Sequence, residues 1–131
     1  MLTMPMFRRK RKEALEEAYR FGREHPGGPF FLERDRRSLR ELDELVCLLR
    51  REGSGEDVSS LGILLGEILV HGEGYSWVTE EDDCYVKNRI GIYLDPIGTM
   101  RNMVRGEDLR FPSEYYLEVL LEEKLGKLNF H

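Results

Sequence analysis

The most apolar part of the chain, residues 61–70, constrains the fold more than any other segment. It is too short to cross a bilayer, which needs about 20 apolar residues, and it contains Glu67. Helix-starting residues stand before it at Asp57 and Ser59, and Gly72 follows it as a stop signal. The segment therefore predicts a helix of a soluble domain that ends before Gly72.

Two glycines interrupt the apolar side chains of this helix. Gly62 and Gly66 are four residues apart and therefore share one helix face. In a membrane this spacing is typical of helix dimerisation, but the segment is too short for that interpretation. We expect instead that the two missing side chains let another part of the backbone approach the helix closely.

Two further helices are predicted before this one. Apolar residues recur at helical spacing over residues 8–24, and the His-Pro-Gly-Gly-Pro sequence at 25–29 ends that helix. Ser38 and Glu41 have the spacing of a capping box at the start of the second helix, which ends at Gly53. The two helices are predicted to form a helical hairpin.

Strands are predicted after the glycine-bearing helix. Residues 75–79 are rich in residues that favour strands, and residues 80–83 form a polar turn. The even-numbered residues over 84–94 are mostly apolar, which is typical of a half-buried antiparallel strand. Asn88 interrupts this alternation, so we expect a bulge or a turn that divides the segment into two strands.

Two helices with clear boundary signals complete the chain. Asp95 is a capping residue, Pro96 suits the first helical position, and Gly106 is a stop signal. A fifth helix is predicted to begin after Pro112, with Ser113 as its cap, and to continue to Lys124, before Gly126. These signals predict the fourth and fifth helices.

The order of elements predicts an α+β fold. It comprises an N-terminal helical hairpin, one helix, a small antiparallel sheet of two or three strands, and two C-terminal helices. We predict a single domain over residues 1–131. Within it, a hinge candidate at residues 54–57 joins the hairpin of residues 1–53 to an α+β body over residues 58–131.

Composition and charge exclude several classes of protein. With 40% hydrophobic and 34% charged residues, the chain is neither disordered nor low in complexity. The net charge of −5 argues against a dedicated nucleic-acid binder. Residues 1–52 carry 13 Lys+Arg against 10 Asp+Glu, whereas residues 53–131 carry 7 against 15. Cys47 and Cys84 form no disulfide framework, and no secretory signal or transmembrane segment is visible, which predicts a cytoplasmic protein.

Part of the chain resembles a known bacterial family. The resemblance is carried by Leu61-Gly62…Leu65-Gly66-Glu67, Trp77, Asp95-Pro96, and Ile97…Met100-Arg101-Asn102…Gly106-Glu107. These motifs, within residues 59–121, are similar to the bacterial domain-of-unknown-function family numbered 3806. The resemblance implies a helix, a Trp-bearing strand, a second strand and a Pro-led helix, and it implies no mechanism. The chain departs from the family in being less basic after the Pro-led helix begins.

Glu67 and His71 are the most enzyme-like pair in the sequence. Side chains at i and i+4 lie on the same side of a helix, and a metal-binding or acid–base site could be completed by Glu73, Asp82 or Asp83. The second histidine of a His-Glu-x-x-His helix is missing, however. We therefore expect a structural Glu–His pair and predict no metal and no cofactor. Cys84 follows four carboxylates, which are expected to raise the pKa of its thiol and disfavour a nucleophilic role.

A basic cluster stands near the start of the chain. It consists of Arg8, Arg9, Lys10, Arg11 and Lys12. Such a cluster can bind the phosphates of nucleic acid or of anionic lipid. Because three glutamates follow within residues 13–17, we favour a helix start that is exposed to solvent.

Residues 45–49 are five consecutive apolar residues in the predicted second helix. One apolar stripe is enough for a helix on a core surface, so we expect this helix to be covered on two sides. Cys47 and Leu48 are expected to face the second cover. That cover is either the first helix, which we favour slightly, or a second copy of the chain.

None of the candidate catalytic sets is complete. The sequence therefore predicts a non-catalytic protein-interaction module that binds a protein partner or a second copy of itself. Two alternatives remain open: a small enzyme that uses a Glu/His/Asp cluster, and a binder of anionic surfaces that uses the basic cluster. Binding to a specific nucleic acid is not expected, because the net charge is negative.

Overall fold

The computed structural model describes residues 1–53 and 55–129 and has an α+β fold. Its helices are α1 (Met4–Glu24), α2 (Leu39–Glu52), α3 (Ser59–Glu73), α4 (Pro96–Arg105) and α5 (Pro112–Asn129). Its strands are β1 (Ser76–Glu80), β2 (Asp83–Lys87) and β3 (Tyr93–Leu94), which form an antiparallel sheet in the order β1-β2-β3. The predicted fold class and order of elements are confirmed. Among the described helices, none has both the length and the apolar character of a membrane span.

Helix α3 lies at the centre of the molecule, because almost every residue along it is apolar or small. Residues 60–69 are all buried, and α3 packs against α1, α4, β1 and β2. A Cβ atom added at Gly62 would lie 2.6 Å from the Cα atom of Ile97, and one added at Gly66 would collide with the Trp77 ring. The predicted close approach of another part of the backbone is confirmed at Gly62, where the partner is α4. At Gly66 it is wrong, because the Trp77 side chain of β1 fills the space instead.

Two helices begin differently from the sequence prediction. Helix α1 begins at Met4, about one turn earlier than expected. At α2 the capping box does not form, because Ser38 already has helical backbone angles and its hydroxyl oxygen accepts a 2.6 Å hydrogen bond from the Glu33 N–H. A short 3₁₀ turn, Arg36–Ser38, leads into α2 instead, and the Asp35 side chain caps that turn.

The glycine stop signals are correct at two helix ends, but α3 continues past Gly72 and α5 continues past Gly126 to Asn129. Gly53 after α2 and Gly106 after α4 are left-handed, with φ angles of 58° and 78°. Helix α3 continues past Gly72 and ends at Gly74, whose φ angle is 70°. Gly72 remains helical, and its missing side chain leaves room for Tyr116, whose hydroxyl oxygen would lie 2.6 Å from an added Cβ atom.

The sheet packs on α3 through Trp77 and Val86, which face each other across β1 and β2 and are both buried. Asn88 ends β2, as predicted. Its side-chain oxygen accepts hydrogen bonds from the N–H groups of Ile90 at 3.1 Å and Ile92 at 2.9 Å. These bonds fold the chain back into β3, which gives the predicted division into two strands.

The two N-terminal helices pack against different neighbours. Helix α1 packs against α3, whereas α2 packs against α4 and α5. Leu48 of α2 is half-buried, and it is covered at Gly27 by the loop that follows α1, where an added Cβ atom would lie 2.5 Å from Leu48 Cδ1. The same loop buries Phe30 and Leu32. Ser54, in the hinge candidate, lies outside the described residues.

Helix α5 is attached to the fold by polar groups of α2. The Asp43 carboxylate accepts hydrogen bonds from the Ser113 N–H, at 2.9 Å, and from the Ser113 hydroxyl group. Ser113 therefore lies in the first turn of α5 rather than acting as its cap. The Arg50 guanidinium group donates hydrogen bonds to the carbonyl oxygens of Met103, Asp108 and Arg110. Arg50 thus fixes the end of α4 and the loop that positions α5.

Candidate functional site

The Glu67 carboxylate lies in the middle of α3 and is only 3% exposed. Both of its oxygens are paired: Arg11 Nε lies 3.0 Å from Oε1, and His71 Nε2 lies 3.2 Å from Oε2. The structure thus brings the Glu–His pair together and adds an arginine from α1. We call these three residues the Glu67 cluster. Because a buried carboxylate needs compensating partners, these contacts link α1 to α3.

Helical periodicity explains why Arg11 reaches Glu67. Arg11 lies four residues after Phe7 and four before Leu15, and both of those side chains are buried. From the sequence, Arg11 is predicted to be one member of the basic cluster. Its four-residue spacing to both Phe7 and Leu15, which the other four cations lack, nevertheless places it on the same side of α1 as these two residues. The other four cations are exposed along α1: Arg8, Arg9, Lys10 and Lys12.

Asp82 and Asp83 lie near the start of α1 rather than at the Glu67 cluster. Asp82 lies in the turn between β1 and β2, and Asp83 is the first residue of β2. In this turn the Glu81 carbonyl oxygen accepts a 2.8 Å hydrogen bond from the Leu2 N–H. The Glu67 cluster meets α1 about two turns later, roughly 10 Å along the helix axis. Within residues 1–53 and 55–129, no three His, Cys, Asp or Glu side chains are placed to hold a metal ion.

The Cys84 thiol is poorly suited to nucleophilic chemistry at neutral pH. Burial raises its pKa to about 11, and the carboxylates of Asp95 and Asp83 add to the effect. The predicted direction of the shift is confirmed. Burial is a larger cause than the neighbouring charges, because the side chain faces the packed side of the sheet.

This pKa shift predicts slow alkylation of Cys84. In a Cys47→Ser variant, Cys84 is the only thiol. With a pKa of about 11, its thiolate fraction at pH 8 is about one in a thousand. We expect iodoacetamide to react at least about tenfold more slowly with the folded chain than with the urea-unfolded chain, even though a more basic thiolate is a better nucleophile. The folded-state rate should rise with pH up to about 11; a plateau near pH 8 would contradict the assignment.

A cavity of about 470 Å³ lies between the start of α3 and α4. Its lining carries both signs of charge: Arg50 from the end of α2, Arg101 and Arg105 from α4, and Glu56 and Asp57 from the segment before α3. The Asp57 carboxylate accepts hydrogen bonds from the Ser59 N–H at 3.0 Å and hydroxyl group at 2.6 Å. These bonds, with a smaller contribution from Arg101, lower the pKa of Asp57. The three arginines exceed the two carboxylates by one charge, but the Arg50 guanidinium group already donates hydrogen bonds to backbone carbonyl oxygens.

The outer face of α5 carries a row of exposed leucines, which we call the leucine face. It consists of Leu117, Leu121 and Leu125, which are 60%, 59% and 59% exposed. On the opposite side of the helix, Tyr115, Tyr116 and Val119 are at most 5% exposed. A helix on the surface of a domain needs one apolar stripe, and α5 has two. The second stripe is therefore available to another molecule.

Sequence reasoning missed the leucine face. It located α5 from Pro112 and Ser113 and assigned no surface to it. The signal was nonetheless present, because residues 115–125 have apolar side chains at helical spacing on two opposite sides. Which of the two sides is buried depends on the contacts of α5 with α2, and the sequence does not reveal those contacts.

Three glutamates run beside the leucine face, and we call them the glutamate row. They are Glu114, Glu118 and Glu122, each exposed and each three residues before a leucine of the face. This spacing places the two rows about 60° apart around the helix. Arg110 pairs with Glu118, whereas Glu114 and Glu122 form no salt bridge with any described residue. One border of the leucine face is therefore acidic.

Comparison of the chain with protein-family models, with curated proteins and with solved structures found no match. The resemblance of residues 59–121 to the domain-of-unknown-function family numbered 3806 stays a prediction. Function is therefore inferred from the geometry of the chain's own residues.

Proposed function

We propose that the protein is a non-catalytic, cytoplasmic interaction module that binds another protein through the leucine face of α5. The observation that carries the proposal is the exposure of three leucines in one row on a helix whose opposite side is already buried. Soluble domains leave single apolar residues exposed, whereas a contiguous apolar patch usually marks a binding surface. The free thiols of Cys47 and Cys84 support the cytoplasmic part of the proposal.

Covering the leucine face would stabilise a complex. A leucine side chain contributes about 1.5–3 kcal/mol when it is fully removed from water. Since each leucine of the face is about 60% exposed, the three together would contribute about 3–5 kcal/mol. Association itself costs at least about 4 kcal/mol. The partner must therefore also contact polar groups around the face.

Affinity capture with the tagged full chain tests the proposal. The face variant replaces Leu117, Leu121 and Leu125 with Ser. The control variant makes the same replacement at Phe31 and Leu109, which lie outside the face and are 65% and 76% exposed. Circular dichroism first establishes that both variants keep the helix content of the wild type. We expect the wild type and the control to retain the same bound protein, and the face variant to retain at least about tenfold less of it. Equal capture by the face variant would contradict the proposal.

A further inference from the structure

We infer that the partner covering the leucine face is an amphipathic helix of another protein, with Lys or Arg beside its apolar row. The inference rests on the proposed function and specifies the chemistry of the partner. It follows from the shape of the leucine face, from the charge of its border, and from the poor match that a second copy of the chain would make.

The shape of the leucine face suits a helix. Leu117, Leu121 and Leu125 form a straight ridge at i, i+4 and i+8, with a length of about 12 Å. Such ridges pack into the grooves between the side chains of a second helix. Strand addition requires an exposed sheet edge with free backbone groups, and the backbone groups along the interior of α5 are already hydrogen-bonded within the helix. A helix is therefore the fitting partner.

The charge of the border selects a basic helix. A helix packed on the leucine face would lie beside the glutamate row, where Glu114 and Glu122 have no salt bridge to a described residue. Lys or Arg on the partner would pair with these carboxylates, whereas Asp or Glu would be repelled. Within α5 itself, the only cation whose side-chain exposure is described is Lys124, which is exposed on the other side of the face.

A second copy of the chain matches this border poorly. If two α5 helices packed antiparallel, their glutamate rows would face each other; if they packed parallel, three glutamates would face Lys124. Helix α1 is the basic helix of the chain, but its apolar residues Phe7, Leu15 and Ala18 are buried against the rest of the fold. Among the side chains that the structure describes, a second copy therefore offers no exposed apolar row with basic flanks.

Two synthetic peptides test the inference directly. Both are helical, about 18 residues long, with leucines in one row; the first has Lys on both flanks of the row and the second has Glu. Their affinity for the purified full chain is measured by fluorescence anisotropy at physiological salt. We expect the Lys-flanked peptide to bind at least about tenfold more tightly. A variant with Glu114→Gln, Glu118→Gln and Glu122→Gln should lose most of this preference, and the Leu→Ser face variant should lose the binding.

The other outcomes separate the inference from the proposed function. Equal affinities for the two peptides, both abolished in the face variant, would overturn the basic-partner inference and leave the proposed function intact. Binding of the Lys-flanked peptide that survives in the face variant would overturn the inference, because it would reflect attraction to acidic groups elsewhere. If neither peptide binds, the inference is wrong, and the capture experiment alone decides the proposed function. A wild-type dimer that the face variant converts to a folded monomer would show that a second copy is the occupant.

Discussion

Replacing Arg11 with Met is expected to destabilise the protein by about 3–5 kcal/mol. Arg11 supplies one of the two partners of the Glu67 carboxylate, which is only 3% exposed. Met keeps most of the apolar volume of the arginine stem but removes the positive charge that pairs with Glu67. The substitution therefore leaves a buried carboxylate with His71 as its remaining partner, and His71 is 47% exposed. Urea unfolding followed by circular dichroism measures the effect.

Two further variants test whether the loss of stability comes from the Glu67 cluster. Arg8→Met makes the same change at an exposed position of α1 and should alter the free energy of unfolding by no more than about 0.5 kcal/mol. Combining Arg11→Met with Glu67→Met removes both charges, and this double variant should recover most of the lost stability. Equal effects of Arg8→Met and Arg11→Met would show that the cluster contributes nothing.

Replacing Gly62 with Ala is expected to destabilise the protein by about 1–3 kcal/mol. The added Cβ atom would lie 2.6 Å from the Cα atom of Ile97, which is a backbone atom and cannot move away by a change of rotamer. Helices α3 and α4 would have to separate, and the packing at the centre of the fold would loosen. The sign of the change in stability is informative, because alanine stabilises a helix by about 1 kcal/mol relative to glycine when no such contact is present. Thermal and urea unfolding give the change.

Gly126→Ala is the matched control for this substitution. Gly126 also lies in a helix, but its added Cβ atom would meet only the Cδ1 atom of Ile90, at 2.9 Å, which is the end of a flexible side chain. We expect this variant to be neutral, or more stable by up to about 1 kcal/mol. If Gly62→Ala were as stable as Gly126→Ala, the close contact between α3 and α4 would be absent in solution.

The parts of the fold that follow from local chemistry could be predicted from the sequence. Asp95 caps α4 by accepting a 3.0 Å hydrogen bond from the Gly98 N–H, Pro96 occupies the first turn, and Gly106 ends the helix in a left-handed conformation. Asn88 separates two strands for a similar reason, because its side chain bonds to backbone groups within four residues. Such contacts involve near neighbours in the chain, and the sequence around them is therefore enough to predict them.

The parts that depend on distant contacts could not be predicted. Ser38 fails as a cap because its hydroxyl oxygen is occupied by the Glu33 N–H in a loop that the capping pattern ignores. Arg11 looks like a solvent-exposed cation until α1 is placed against Glu67. The leucine face emerges only when contacts with α2 show which side of α5 is buried. In each case the partner is set by tertiary packing rather than by local sequence.

Site-specific photo-crosslinking in the cells that produce the protein tests the proposed interaction surface most directly. A photoreactive phenylalanine analogue is placed at Leu121, in the centre of the leucine face, or at Glu107, an exposed control position outside it. Ultraviolet irradiation should give one crosslinked protein product at position 121 and none at position 107. The absence of a product at position 121, or the same products at both positions, would contradict a docking surface on α5.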